Sequence, residues 1–156
     1  MLTAEAKEKL KALDLKAFLF DMDGVLYDSM PHHAKAWIHA FEQEGVKFDE
    51  YNVYLREGMT GNSTVQEVFQ SQLGRMATED DCQRIYRNKS DFFNALGPAK
   101  VMAYVSDVLF EIKNAGLDVF LVTGSGQHSL LSKLNTSFPG VFKTGNMVTA
   151  FDVSKG

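Results

Sequence analysis

Only one cysteine, no excess of basic residues and no long apolar run occur in this sequence, and each lack removes a class of protein. Cys82 has no second thiol for an internal disulfide and no metal-ligand companion nearby, so a cross-linked secreted scaffold is excluded. A packed small side chain in a reducing compartment is expected instead. The net charge of −4 leaves no cationic stripe to attract a nucleic-acid backbone. No stretch approaches the roughly 18 consecutive apolar residues of a membrane span. The charged start Glu5, Lys7, Glu8, Lys9 has no apolar run of signal-peptide type behind it. The expected protein is cytoplasmic and monomeric, with neither nucleic acid nor membrane as partner. An acidic chain that handles a polyanion needs local help, and a metal cation held by carboxylates is the usual form of it.

What is present is an ordinary folding chain, 45% hydrophobic and 23% charged. Its 156 residues suffice for one packed domain, or for a core carrying a small second one. Leu2, Ala6, Leu10 and Leu13 recur at helical spacing. Ala17 to Phe20 then reads as a short buried parallel strand, closed by the turn Asp21-Met22-Asp23-Gly24. From Pro31 to about Gly97 the pattern is helical. Trp37, Ile38 and Phe41 share one face, a second segment is expected near Ser63-Thr64 with Thr64 and Glu67 at capping-box spacing, and Thr78 opens a third. Gly97-Pro98 closes this region, so 28–30 and 97–100 are the expected hinges of an inserted bundle. Beyond it Val101, Val105, Val108, Leu109 and Ile112 form an expected core-facing stripe. Leu117 to Val122 is a second buried strand, Leu130, Leu131 and Leu134 lie on a further helix, and 147–151 is a third strand. Alternating strands and helices predict an α/β fold with a parallel sheet.

Side chains two apart along an extended chain point to one side, so Asp21 and Asp23 can converge just beyond the first strand. Carboxylates that close repel unless one holds a proton or a cation neutralises the pair, and either state suits phosphoryl transfer. Asp21 is then a candidate nucleophile and Asp23 its acid/base partner. Gly24 lets the chain turn away without crowding an anion. Thr123, with the amides of Gly124 and Ser125, offers the other half of an anion cradle at the end of the second strand. Ligands in open α/β sheets bind at the carboxyl ends of the strands, so both motifs are expected to face one pocket.

The run from Phe18 to Ser29, FLFDMDGVLYDS, resembles the first motif of the haloacid dehalogenase superfamily, and Val122 to Ser125, VTGS, resembles its second. More narrowly the chain is similar to the β-phosphoglucomutase-like group, whose bacterial members include hydrolases of sugar phosphates and of inorganic pyrophosphate. The resemblance runs from about residue 16 to the end. It implies a Rossmannoid core over 1–29 and 98–156, incomplete at its C-terminal end, and a helical cap over 30–97. It also implies an aspartyl-phosphate at Asp21, Mg²⁺ held partly by the Asp21 carboxylate and the Asp23 backbone carbonyl, and phosphate bound by Thr123. His33 falls where phosphomutases of the group place a hinge histidine.

Residues 55–62, LREGMTGN, match the family's specificity loop, with Arg56, Glu57 and Thr60 as candidate substrate contacts. Glu57 repels a phosphate unless it reaches a metal or metal-bound water, which favours a small, metal-rich substrate. Mutases of the group generally carry basic residues where this chain has Gly61 and Gly126, so a phosphohydrolase acting on pyrophosphate or a small phosphate ester is the preferred expectation and a sugar phosphomutase the alternative. The family's third-motif lysine and fourth-motif acids are expected beyond Gly156, Lys155 lying too early to match the former. Weak or no turnover is therefore expected of these 156 residues alone, and a noncatalytic binding fragment is a further reading.

Overall fold

The two apolar runs that read as buried strands pair in parallel, Ala17 opposite Asp118 and Phe20 opposite Leu121. The computed structural model describes residues 5, 8–9, 12–143 and 145–153. In chain order the elements are β1 (Ala17–Phe20), β2 (Tyr27–Asp28), α1 (Met30–Glu42), α2 (Glu50–Leu55), α3 (Gly61–Leu73), α4 (Glu79–Ala95), β3 (Lys100–Val101), α5 (Val105–Asn114), β4 (Asp118–Val122), α6 (His128–Leu131), α7 (Leu134–Ser137) and β5 (Met147–Val148). Leu2, Ala6 and Leu10 of the expected first helix lie outside the described residues, as does Lys155.

The parallel sheet runs β1-β4-β5, which makes β1 an edge among the described strands. Phe18, Phe20, Val119, Leu121 and Met147 face one side and join a core with Leu109, Ile112, Leu130 and Phe138. The other side leaves Leu19 67%, Val122 42% and Val148 44% exposed. The architecture is α/β and Rossmannoid, with the helices α1 to α4 inserted after β2.

Those four helices enclose a second core of Trp37, Phe41, Val65, Phe69 and Ile85. Trp37 stacks on Phe41 with ring centroids 5.4 Å apart. α1 and α4 pack along each other and reach both cores, Ala36 and Phe93 belonging to the sheet side. The two passages of the chain between the cores lie side by side as an antiparallel ribbon, Tyr27 opposite Val101 and Asp28 opposite Lys100. Among the described residues no helix is long and apolar enough to cross a membrane.

Several local expectations need correction. Thr60, rather than Ser63 or Thr64, caps α3, because its side chain accepts from the Ser63 amide and so satisfies an orphan donor of the first turn. Val101 and Val108 do not face the core. Val101 is taken into the ribbon, and Leu109 and Ile112 carry the buried stripe of α5, with Val105 packed against the same core. The helix expected around Leu130 and Leu134 breaks into two single turns. The last strand stops at Val148. Thr78 does open α4, in a capping box with Asp81.

Candidate active site

β1 ends at Phe20 and the chain turns sharply, with the amides of Leu26 and Tyr27 both donating to the Met22 carbonyl and the Gly24 amide to the Tyr27 carbonyl. Gly24 takes a positive φ of 72°, a conformation that costs a side-chain-bearing residue more. This turn presents Asp21 and Asp23. The Met22 amide donates to Asp21 Oδ1 at 2.7 Å. Asp23 Oδ1 accepts from Ser29 Oγ at 2.5 Å and from His33 Nε2 at 2.9 Å. Burial by itself raises the Asp23 carboxyl, but His33, then Ser29 and Ser125, outweigh it and hold the group down at about 2. Asp23 therefore rests as a carboxylate. His33 is pushed the other way from a cation: burial, helped by Lys89, lowers its pKa against the pull of Asp23.

After β4 the Thr123 amide donates to the Val148 carbonyl, which ties the second loop to β5. The Ser125 amide donates to Thr123 Oγ1 at 3.2 Å, and the Gln127 amide to Ser125 Oγ at 3.4 Å. α6 is a single turn starting at His128, too short to add much of a dipole, so any anion cradle here consists of the loop's own groups.

Asp21, Asp23, Thr123, Gly124 and Ser125 line one cavity of about 60 Å³. The helical insertion roofs it with Glu57, Gly58, Tyr86 and Lys89. Contact across the roof is tight: a Cβ on Gly124 would lie 2.1 Å from the Gly58 carbonyl oxygen, so only glycine permits this approach. Glu57 reaches the first loop, its Oε1 3.3 Å from where a Gly24 Cβ would stand. Burial, then Asp21 and Asp23, raise its carboxyl. Among the described residues no group of three or more His, Cys, Asp or Glu gathers as a metal cluster. The donors present are carboxylate oxygens, which suits Mg²⁺, an ion that needs only one or two carboxylates besides water and phosphate oxygens.

The remaining expected contacts are placed differently. Arg56 lines the cavity, but its guanidinium donates to the Asn52 carbonyl and side chain, both at 3.0 Å, and to Glu67 at 3.1 Å. Its Nε is buried without a partner. The arginine thus ties the loop to its own helices. Thr60 is buried as the α3 cap and does not line the cavity.

Tyr86 and Lys89 escaped the sequence reading. Tyr86 fills the space beside both glycines at which mutase cations were expected: a Cβ on Gly61 would meet its ring at 2.3 Å, and one on Gly126 its hydroxyl at 2.9 Å. Lys89 follows Cys82 and Ile85 and precedes Phe93 on the buried face of α4. A lysine interrupting an apolar helical stripe was the signal that could have found it.

A family model for haloacid dehalogenase-like hydrolases matches residues 15–153. The chain belongs to that family. A solved structure of a candidate β-phosphoglucomutase from Bacteroides vulgatus superposes with a TM-score of 0.86 at 46% identity, over 92% of this chain and 58% of that one. A hydrolase from Pseudomonas syringae gives 0.76 at 22% identity, over 90% and 64%, which speaks for the fold alone. The β-phosphoglucomutase of Bacillus subtilis is 23% identical over 116 residues, 71% of this chain and 51% of that enzyme. The chain thus spans about half the length of this curated relative. These comparisons establish the family and the fold of the chain.

Proposed function

We propose that the chain carries the reaction centre of a Mg²⁺-dependent phosphohydrolase that acts through an aspartyl-phosphate on inorganic pyrophosphate or a small phosphate ester. One observation carries the reading: the carboxylates after β1 and the hydroxyl and amides after β4 line a single small cavity. In the first step an Asp21 carboxylate oxygen bonds to phosphorus while the bond from phosphorus to the leaving oxygen breaks, and Asp23 gives that oxygen a proton. In the second step water attacks the phosphoryl group, Asp23 takes its proton, and inorganic phosphate leaves as the Asp21 carboxylate is regenerated. Because Asp23 rests ionised, it must gain its proton as substrate enters; an anion at close range penalises the carboxylate and drives that change. The Asp21 carboxylate and the Asp23 backbone carbonyl would hold Mg²⁺, which supplies charge neutralisation at the phosphate. Thr123, Gly124 and Ser125 bind the transferring group.

Residues 30–97 act in this reading as a cap, with 1–29 and 98–156 as the core and Glu57 and Tyr86 limiting substrate size. Arg56 and Thr60 shape the loop, and His33 keeps Asp23 ionised. Tyr86 between Gly61 and Gly126, in place of cations, weighs against sugar-phosphate transfer. The protein is read as a cytoplasmic monomer working on a small molecule. Acid-quenched mass spectrometry after incubation with acetyl phosphate and Mg²⁺ should show one phosphoryl group on Asp21, absent from Asp21→Asn. Phosphorylation persisting in that variant would sink the nucleophile.

A further inference from the structure

One cation reaches the inner wall of the cavity, and neither acid/base chemistry nor the anion cradle uses it. Lys89 is 2% exposed. Its Nζ lies 5.5 Å, 5.4 Å and 5.2 Å from the ring centroids of Trp37, Tyr86 and Phe93 and donates to Gln127 Oε1 at 3.1 Å. Gln127 is itself locked, its amide nitrogen donating to Asn94 Oδ1 and Ser129 Oγ, both at 3.1 Å, which turns its oxygen toward the lysine. An ammonium has three donors, and among the described residues Gln127 is the one hydrogen-bond acceptor it meets. Burying a cation on one neutral acceptor and aromatic faces is costly. An anion entering the cavity that Lys89 lines would repay that cost by taking the remaining donors.

Charge at the site points the same way. Three carboxylates, Asp21, Asp23 and Glu57, surround a cavity meant for an anion, while the Arg56 guanidinium is engaged by Asn52 and Glu67. Burial lowers the Lys89 pKa against the pull of Asp23, and an anion bound beside the ammonium favours its charged form. The Phe93 ring facing the Lys89 ammonium also packs on His33, with centroids 4.6 Å apart, and His33 holds Asp23, which places the lysine on the acid/base side of the cavity. That is the side where a leaving oxygen receives its proton.

Resting on the phosphohydrolase reading above, we propose that Lys89 is a specificity-determining residue whose ammonium binds the leaving phosphate of a compact diphosphate, favouring inorganic pyrophosphate over monoesters with uncharged leaving groups. The rival role is structural, a lysine that only fastens α4 to Gln127, and the two differ in what they do to selectivity. Calorimetric titration with methylenediphosphonate and with inorganic phosphate, Mg²⁺ present throughout, compares the unaltered chain with Lys89→Met. The sole tryptophan, Trp37, beside the ammonium, gives a second, local readout by its emission. Methylenediphosphonate should bind the unaltered chain more tightly than phosphate, and Lys89→Met should weaken it about tenfold or more while phosphate changes less than about threefold. Equal weakening of both probes, no weakening of either, or no preference in the unaltered chain overturns the proposal. If Lys89→Met does not melt cooperatively, Lys89→Gln, which keeps a donor for Gln127 without the charge, is read in its place. Binding needs no turnover, so an Asp21→Asn protein that still becomes phosphorylated would sink the nucleophile while this comparison stands or falls separately.

Discussion

The helical half of the molecule closes its core and the sheet half does not. Trp37, Phe41, Val65, Phe69 and Ile85 are buried among the helices, and α2, α3 and α4 begin on side-chain caps while α1 does not. The sheet covers one face and leaves Leu19, Val122 and Val148 open on the other, and α5, α6 and α7 begin without side-chain caps. Parallel sheets are ordinarily covered on both faces. The contrast teaches that the insertion is locally specified, whereas the sheet side depends on contacts made at a distance.

The largest test of that contrast is a cavity in the helical core. Phe69→Ala should cost about 3–5 kcal/mol in urea unfolding, since the ring is fully buried and its neighbours collapse only in part. A cost near that of a surface change would mean the helical core is not the well-packed one. Next comes the contact between the halves. Gly124→Ala forces a methyl group against the Gly58 carbonyl and should disfavour the closed roof by about 1–3 kcal/mol, seen as faster amide exchange over residues 56–61.

A smaller effect separates the caps. Arg75 first, then the Thr78 backbone amide, hold the Asp81 carboxyl well below its ordinary value. A carboxyl depressed in the folded state stabilises above its unfolded pKa, 3.8, and loses that contribution as pH falls below it. Thermal melts should therefore show Asp81→Asn less stable than the unaltered chain at pH 6, with the gap narrowing on acidification. A pH-independent gap would assign the loss to packing. The smallest effect belongs to the open face, where Leu19→Thr should alter stability by less than about 0.5 kcal/mol, because its side chain is already in water.

Much of this was legible because it is local. The position of the strand at 17–20, the turn with its two aspartates and the Thr78 cap each follow from neighbouring residues and appear where they were read, although the strand is half-buried rather than buried. The cap of α3 was misread because Thr60 and Thr64 both offer hydroxyls near its start, and spacing to Glu67 favoured the wrong one. The stripe on α5 was misread because Val101 and Val108 have the period of a buried face, while the ribbon with Tyr27 claims the first and the second stands 43% exposed. Arg56 was legible as a pocket residue but not as a partner of Glu67, eleven positions away.

Composition, period and turn chemistry alone determined that this chain is α/β, that helices interrupt it after the first strand, and which carboxylates and hydroxyls stand at strand ends. Those properties depend on residues a few places apart, where backbone geometry leaves little choice. Only the tertiary structure decided that Glu57 leans over Gly24, that Tyr86 takes the room beside Gly61 and Gly126, and that Lys89 is buried facing the acids. Each depends on how a helix from one core meets a loop from the other, and no spacing within a single segment encodes that meeting.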